Sequence, residues 1–143
     1  MKAKTALILL ICVATLAGCR LAPYDAQTER DLAALEAAHL AMIDTCAVMA
    51  TLDVPGLEAG KALWLEAYQE AIRHQGRLVD NDDLRRETFG TAQGHFNQAS
   101  AVLETAAYPL SPAFAANLRD QARETYRHLI DGERGRKGSP DNP

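Results

Sequence analysis

Residues 26–52 read AQTERDLAALEAAHLAMIDTCAVMATL, and this stretch decides the fold class of the chain. Its apolar positions, together with one histidine, recur at alternating spacings of three and four residues. That period places them on a single face of an α-helix, as in the buried face of a bundle helix. The positions are Leu32, Leu35, His39, Met42, Cys46 and Met49. The stretch therefore predicts a long helix with one buried stripe.

Three more helices are predicted downstream, separated by short segments that contain helix breakers and capping residues. Pro55 ends the first helix and opens the second, whereas Ser111 and Pro112 supply the N-cap and first position of the fourth. The predicted ranges are 55–79, from the acidic run at 80–83 to 107, and 112–131. Short loops and the lack of strand-like alternation favour an all-α, up-down antiparallel four-helix bundle. A long helical hairpin that dimerises is the alternative.

Two of these helices carry features that a simple buried stripe does not explain. The second has an additional apolar edge made by Leu65, Tyr68 and Ile72, which leaves its register open. The third contains Gly90 and Gly94, although a glycine inside a helix costs about 1 kcal/mol relative to alanine. We interpret the two glycines as packing positions, or as a surface groove where another helix docks.

The first 18 residues have the pattern of a secretory signal peptide. Two lysines precede an apolar stretch over 6–16, which is shorter than the about 20 residues that a membrane-spanning helix needs. The stretch ends in Leu16-Ala17-Gly18-Cys19, which resembles the lipobox of bacterial lipoproteins. The resemblance implies cleavage before Cys19, lipidation of its thiol by fatty acids such as palmitate, and stable anchoring in a lipid bilayer.

The lipobox also implies a domain organisation and a location. Residues 1–18 are the cleaved signal peptide, 19–25 the lipid anchor and tether, and 26–131 the bundle. Residues 132–143 are rich in Gly, Pro and charged residues, which predicts a disordered tail. Arg20 follows the anchor in place of the aspartate that retains many lipoproteins in the inner membrane. By resemblance, the protein is expected in the outer membrane, facing the periplasm.

Charge and cysteine usage exclude several function classes. Removal of Lys2 and Lys4 with the signal peptide takes the formal net charge from −4 to −6, so lipid rather than charge provides the membrane attachment. No basic stripe with interleaved aromatic residues is present, which argues against nucleic-acid binding. Cys46 is the one cysteine left beside Cys19, and we expect it to be a buried core residue. No nucleophile motif or phosphate-binding loop appears, so we expect no enzyme.

The histidines are the candidates for a cofactor site. Because a helix rises 1.5 Å per residue, His39 and His95 are predicted to lie at similar heights in the bundle, about 20 Å from one end. One interpretation is a haem held by His39 with His95, Met42 or Met49 as the second axial ligand. Another is an iron site, because Glu36 and His39 have the Glu-x-x-His spacing of di-iron bundles. The di-iron pattern is incomplete, and a structural role for His39 in the core is the simpler alternative.

These observations predict a lipid-anchored, periplasm-facing helical module that docks an envelope protein or complex. Secretion, conjugation, assembly, and immunity or exclusion lipoproteins share this gross anatomy. No cofactor is required for that role. The alternative is a periplasmic haem-binding or metal-binding four-helix bundle that uses His39 and His95. A purely structural lipoprotein is disfavoured, since such proteins are long coiled coils and these helices are separately capped.

Overall fold

The computed structural model describes residues 21–79 and 81–138, and within them the chain forms α-helices, a terminal 3₁₀ turn and no strand. The helices are α1 (Ala26–Ala47), α2 (Val54–Gln75), α3 (Asp83–Thr105) and α4 (Pro112–Gly135), followed by the turn Arg136–Gly138. The prediction of a helical bundle is confirmed. In this part of the chain, no helix combines the length and the apolar character that crossing a membrane requires.

Side-chain caps fix where most of these helices begin. Asp25, Asp82 and Ser111 each accept a hydrogen bond from the backbone amide three residues further on. Such caps satisfy an amide that has no partner inside the helix. Asp53 occupies the same position before α2 but makes no side-chain cap bond, and Pro55 lies in the first turn of that helix.

Four helix termini contact one another at one end of the bundle, which we call the tether end. They are the starts of α1 and α3 and the ends of α2 and α4. At the start of α1, the carboxylate of Asp25 lies 2.7 Å from Nε2 of His74, at the end of α2. The Asp25 amide donates to Glu133, near the end of α4. The guanidinium of Arg136, just after α4, pairs with Asp82 at the start of α3. These contacts favour the up-down antiparallel order, which remains a prediction.

Aromatic residues dominate the centre of the core. The indole of Trp64 stacks on the ring of Phe96 with 4.0 Å between ring centroids, and its Nε1–H donates to the Tyr126 hydroxyl over 2.9 Å. This links α2, α3 and α4 by one buried side chain. Cys46 is a free, buried cysteine, as expected. The main buried aliphatic residues are Leu32, Leu35, Met42, Ile43, Leu57 and Leu103.

Two helices end earlier than the periodic stripe predicts. The first ends at Ala47 rather than near Leu52, although Met49 still packs against the core from the following turn. The second ends at Gln75 rather than near Val79, with Gly76 as its C-cap in a right-handed helical conformation. Periodicity therefore overestimates the length of a helix where the turn that follows it still supplies core residues, as the turn after α1 does.

The fourth helix is longer than predicted. Residues 132–138 continue α4 and form the terminal turn instead of the expected disordered tail. Glu133 and Arg136 are buried in this segment, so their charges pair inside the protein rather than face solvent. Residues 139–143 of the predicted tail lie outside the described residues, as do the predicted signal peptide and Cys19.

Candidate functional site

The structure brings together the two histidines that the helix rise placed at one height. The rings of His39 on α1 and His95 on α3 have centroids 5.5 Å apart. His39 is fully buried, and its ring also meets Phe96 and Tyr126 edge-on at 5.2 and 5.9 Å. The other two histidines lie elsewhere, His74 beside Asp25 and the remaining one exposed on α4.

Both central imidazoles are neutral near pH 7. Neither ring nitrogen of His39 has a hydrogen-bond partner among the described residues, and Nδ1 of His95 also lacks one. Burial, and secondarily the neighbouring His95, lowers the pKa of His39 to about 4. Burial also lowers the pKa of His95. Neutral imidazole is the form that coordinates a metal ion, so the pair can offer nitrogen ligands but no charge.

The remaining predicted ligands do not complete a site around this pair. In the described part of the chain, no group of three or more His, Cys, Asp or Glu side chains is placed to hold a metal ion. The sulfur of Met42 lies 3.8 Å from the Ser100 hydroxyl, and Glu36 lines a surface cavity between α1 and α4. A haem between His39 and His95 would also have to displace the aromatic rings packed against His39. Among the described residues, no third His, Cys, Asp or Glu side chain joins His39 and His95.

A groove lies between α2 and α3, the neighbouring helices that approach each other least closely. Its volume is about 490 Å³, and Trp64 and Phe96 form its floor. Leu65 lines one wall. At one end Lys61 pairs with the carboxylates of Glu58 and Glu104, which leaves an acidic excess. Apolar and polar side chains contribute about equally to its lining, so the groove offers an apolar floor beside polar walls.

The apolar lining continues along α2 beyond this groove. Leu65 and Ile72 are 46% and 43% exposed, and Tyr68 lies between them with its ring stacked on Trp64. The Tyr68 hydroxyl donates to Gln93, which fixes the edge of α3 at this point. The second apolar edge noted in the sequence of α2 is therefore an exposed stripe. From residue 58 to residue 72 it extends about 21 Å, at 1.5 Å per residue.

The paired glycines of α3 are surface positions. A Cβ atom added at Gly90 or Gly94 would meet nothing within 4 Å, so the interpretation as packing positions inside the bundle is wrong. Helical spacing puts both on one face of α3 with Asn97 and Ala101, which line the groove. Small residues on this face let another helix approach closely. The alternative interpretation, a groove for a docking helix, remains.

A buried ionic cluster at the tether end was not predicted from the sequence. We call it the clamp, and it consists of Asp82, Arg85, Glu133 and Arg136. Arg85 makes a bidentate pair with Glu133, with N–O distances of 2.6 and 3.1 Å, and the two side chains are 1% and 3% exposed. Arg136 pairs with Asp82 at 2.7 Å and with Glu133 at 3.1 Å. Every charge in the clamp thus has a partner of opposite sign.

The clamp binds the backbone of the segment that precedes α1. The Ala22 amide donates to Asp82 over 2.8 Å, and the Ala22 carbonyl accepts from Arg136 over 2.8 Å. The Pro23 carbonyl accepts from Arg85 over 2.6 Å. Burial raises the pKa of Asp82, but hydrogen bonds from Arg136 and from the Ala22 and Arg85 amides outweigh it and bring that pKa to about 2. The predicted tether is therefore fixed to the bundle from Ala22 onward.

Comparison with known proteins adds no relative. The chain matches no protein-family model, no curated protein and no solved structure. A function has to be argued from the groove, the histidine pair and the clamp themselves.

Proposed function

We propose that this protein is a lipid-anchored, periplasm-facing binding module whose groove between α2 and α3 holds one amphipathic helix of an envelope protein. The observation that carries the proposal is the continuity of the groove with the exposed stripe of Leu65, Tyr68 and Ile72. Contiguous exposed apolar surface costs free energy in water, and an apolar helix face laid into a groove removes that cost.

The dimensions and charges of this surface favour a helix as its ligand. Its length of about 21 Å corresponds to roughly four helical turns. The open face at Gly90 and Gly94 gives a partner backbone room to approach. Because Glu58 and Glu104 outnumber Lys61 at one end, a partner helix with a basic residue there is the best match. Assembly, secretion, conjugation and immunity or exclusion complexes are the classes of partner that we propose.

The proposed anchor is the acylated Cys19, which the resemblance to the lipobox supports. Two residues, Arg20 and Leu21, separate Cys19 from Ala22, so the lipid attaches within about 11 Å of the clamp. With Arg20 as the next residue, we propose the outer membrane as the location. A bundle held this close to the bilayer reaches partners at or near the membrane surface.

Replacing Cys19 by serine is expected to abolish incorporation of labelled palmitate and to release the protein from the membrane fraction. Serine lacks the thiol that receives the lipid, whereas a Cys46→Ser variant keeps Cys19 and should label normally. Palmitate labelling followed by fractionation measures both effects. Continued labelling of the Cys19→Ser variant would refute the anchor.

Changing Leu65 to glutamate is expected to remove most crosslinking of the lipidated protein to its envelope partner, because it places a charge on the apolar wall of the groove. The measurement is photocrosslinking in native membranes from a photoreactive residue at Asn97, on the opposite wall. Mass spectrometry of the crosslinked peptide then identifies what lies in the groove. The expected peptide belongs to an amphipathic helix with basic residues.

The matched control is Leu63→Glu, two residues away on α2. Leu63 is even more exposed than Leu65 but does not line the groove, so this variant should crosslink as the wild type does. Equal loss in both variants would show a general effect of charge on α2. A crosslinked peptide from a second copy of this chain, or from an extended segment, would contradict the proposed ligand.

A further inference from the structure

We infer that the tether end of the bundle rests on the bilayer in one fixed orientation and that Leu21, Val79 and Leu84 contact its lipid. The inference rests on the lipid anchor of the proposed function. It adds a fixed orientation, which the anchor alone does not provide, because a bundle on a flexible tether would turn freely. The partner surface is thus the membrane itself, bound through a defined protein face.

The clamp supplies the fixed orientation. It holds both backbone polar groups of Ala22 and the carbonyl of Pro23, and the Asp25 amide donates to Glu133 over 2.9 Å. These bonds tie the segment to α3 and α4 at the same time. A chain fixed at Ala22 leaves only Arg20 and Leu21 between the clamp and Cys19, which is too little length to bring any other face of the bundle to the membrane.

The surface around the clamp has the composition of a membrane-contacting face. Val79 is 97% exposed in the connection between α2 and α3, and Leu21 and Leu84 are also exposed beside the clamp. Leu21 and Leu84 border one shallow cavity, which places them next to each other. Exposed apolar side chains near an acyl anchor gain free energy by entering the interfacial layer of a bilayer.

Charge at this end is compatible with phospholipid headgroups. Arg77 and Lys137 are both more than half exposed there, and the ammonium group of Lys137 lies over the ring of Tyr24. The protein as a whole is acidic, so an anionic membrane repels most of its surface. Carboxylates partly offset these cations, since Arg77 lies near Glu70 and Lys137 lies near Glu29. The Asp83 side chain is 91% exposed at the same end, so the cations reduce the repulsion only in part. The clamp arginines take no part, since they are paired inside the protein.

The two exposed valines at opposite ends of the bundle provide a matched test. Val79 lies at the tether end, whereas Val48 follows α1 at the far end, about 30 Å away over the 22 residues of that helix. Each is changed to cysteine in a Cys46→Ala background and spin-labelled in the full lipidated protein, whose Cys19 thiol is blocked by lipid. The protein is reconstituted in vesicles of phosphatidylethanolamine with a minority of phosphatidylglycerol. A lipid-soluble and a water-soluble paramagnetic agent each speed the relaxation of the spin labels they reach. Comparison of the two effects gives the depth of each label in the bilayer.

We expect the label at Val79 to be severalfold more accessible to the lipid-soluble agent than the label at Val48. The double variant Asp82→Asn with Arg136→Gln removes two clamp charges together and keeps a good N-cap at position 82. In that variant the difference between the two labels should shrink. An undiminished difference would overturn the clamp as its cause.

The outcomes separate this inference from the proposed anchor. Acylated, vesicle-bound protein with both labels in water would overturn the membrane contact and leave the anchor standing. Equal lipid exposure of both labels would overturn the fixed orientation. A protein whose intact mass shows no acylation would overturn the anchor and this inference together.

Discussion

Replacing Arg85 by alanine is expected to destabilise the bundle by about 3–5 kcal/mol, because it leaves the buried carboxylate of Glu133 without its bidentate partner. The Pro23 carbonyl loses its hydrogen bond at the same time. The measurement is urea unfolding of the mature domain, followed by circular dichroism, with the free energy extrapolated to water. The effect is large because the charge that remains is removed from solvent.

The next residue along the same helix provides the control. Arg86 also pairs with a carboxylate, that of Asp83, but its side chain is 63% exposed. An exposed pair of this kind contributes about 0–1 kcal/mol, so Arg86→Ala should unfold almost as the wild type does. Similar losses from the two variants would show that the pair of Arg85 and Glu133 is not held away from water.

Acidification from pH 6.5 to pH 4 is expected to cost the bundle about 3 kcal/mol of stability through His39. The pKa of His39 is about 4 in the folded protein, against 6.5 for the ordinary side chain. Below pH 6.5 the unfolded chain therefore binds a proton that the folded chain excludes, and the loss stops near pH 4. His95, whose pKa is also lowered, adds a loss of the same sign.

The His39→Leu variant tests the source of this pH dependence. Since neither ring nitrogen of His39 has a partner among the described residues, leucine removes no hydrogen bond to them, and stability at pH 7 should be maintained or raised. Between pH 6.5 and pH 4 its stability should fall much less than that of the wild type. Unfolding curves recorded at each pH give the free energy of unfolding as a function of pH. If that dependence were unchanged in His39→Leu, the prediction that His39 is buried and neutral would be wrong.

Sequence periodicity was sufficient for the helices and for the height of two side chains. Spacings of three and four define the buried stripe of α1, and the rise per residue predicts that His39 and His95 lie at similar heights, although not that their rings meet. Both inferences depend on regular helix geometry alone. The exposed stripe of Leu65, Tyr68 and Ile72 was visible in the sequence, but its exposure depends on how far α2 and α3 separate. That separation follows from packing, chiefly from Trp64 between the helices, and not from a local pattern.

Local sequence patterns of this kind do not predict the clamp. Arg85 and Glu133 lie 48 residues apart in the sequence, and Ala22 and Arg136 lie 114 apart. Charged residues near a chain terminus are usually solvated, so the composition of residues 132–138 predicted disorder. The opposite charges neutralise one another only once the fold has brought them together. Their burial is a property of the tertiary structure that no single helix reveals.

If the protein is exported as proposed, the separation of 114 positions between Ala22 and Arg136 would also set an order of events during export. A chain that crosses the inner membrane from its amino terminus delivers Ala22 long before Arg136 emerges to hold it. The enzymes that would acylate and cut the chain at Cys19 would therefore act on a segment that the clamp does not yet hold. In the proposed export, the last turns of α4 would close on that segment only after nearly the whole domain had been translocated, so maturation of the amino terminus would precede its immobilisation.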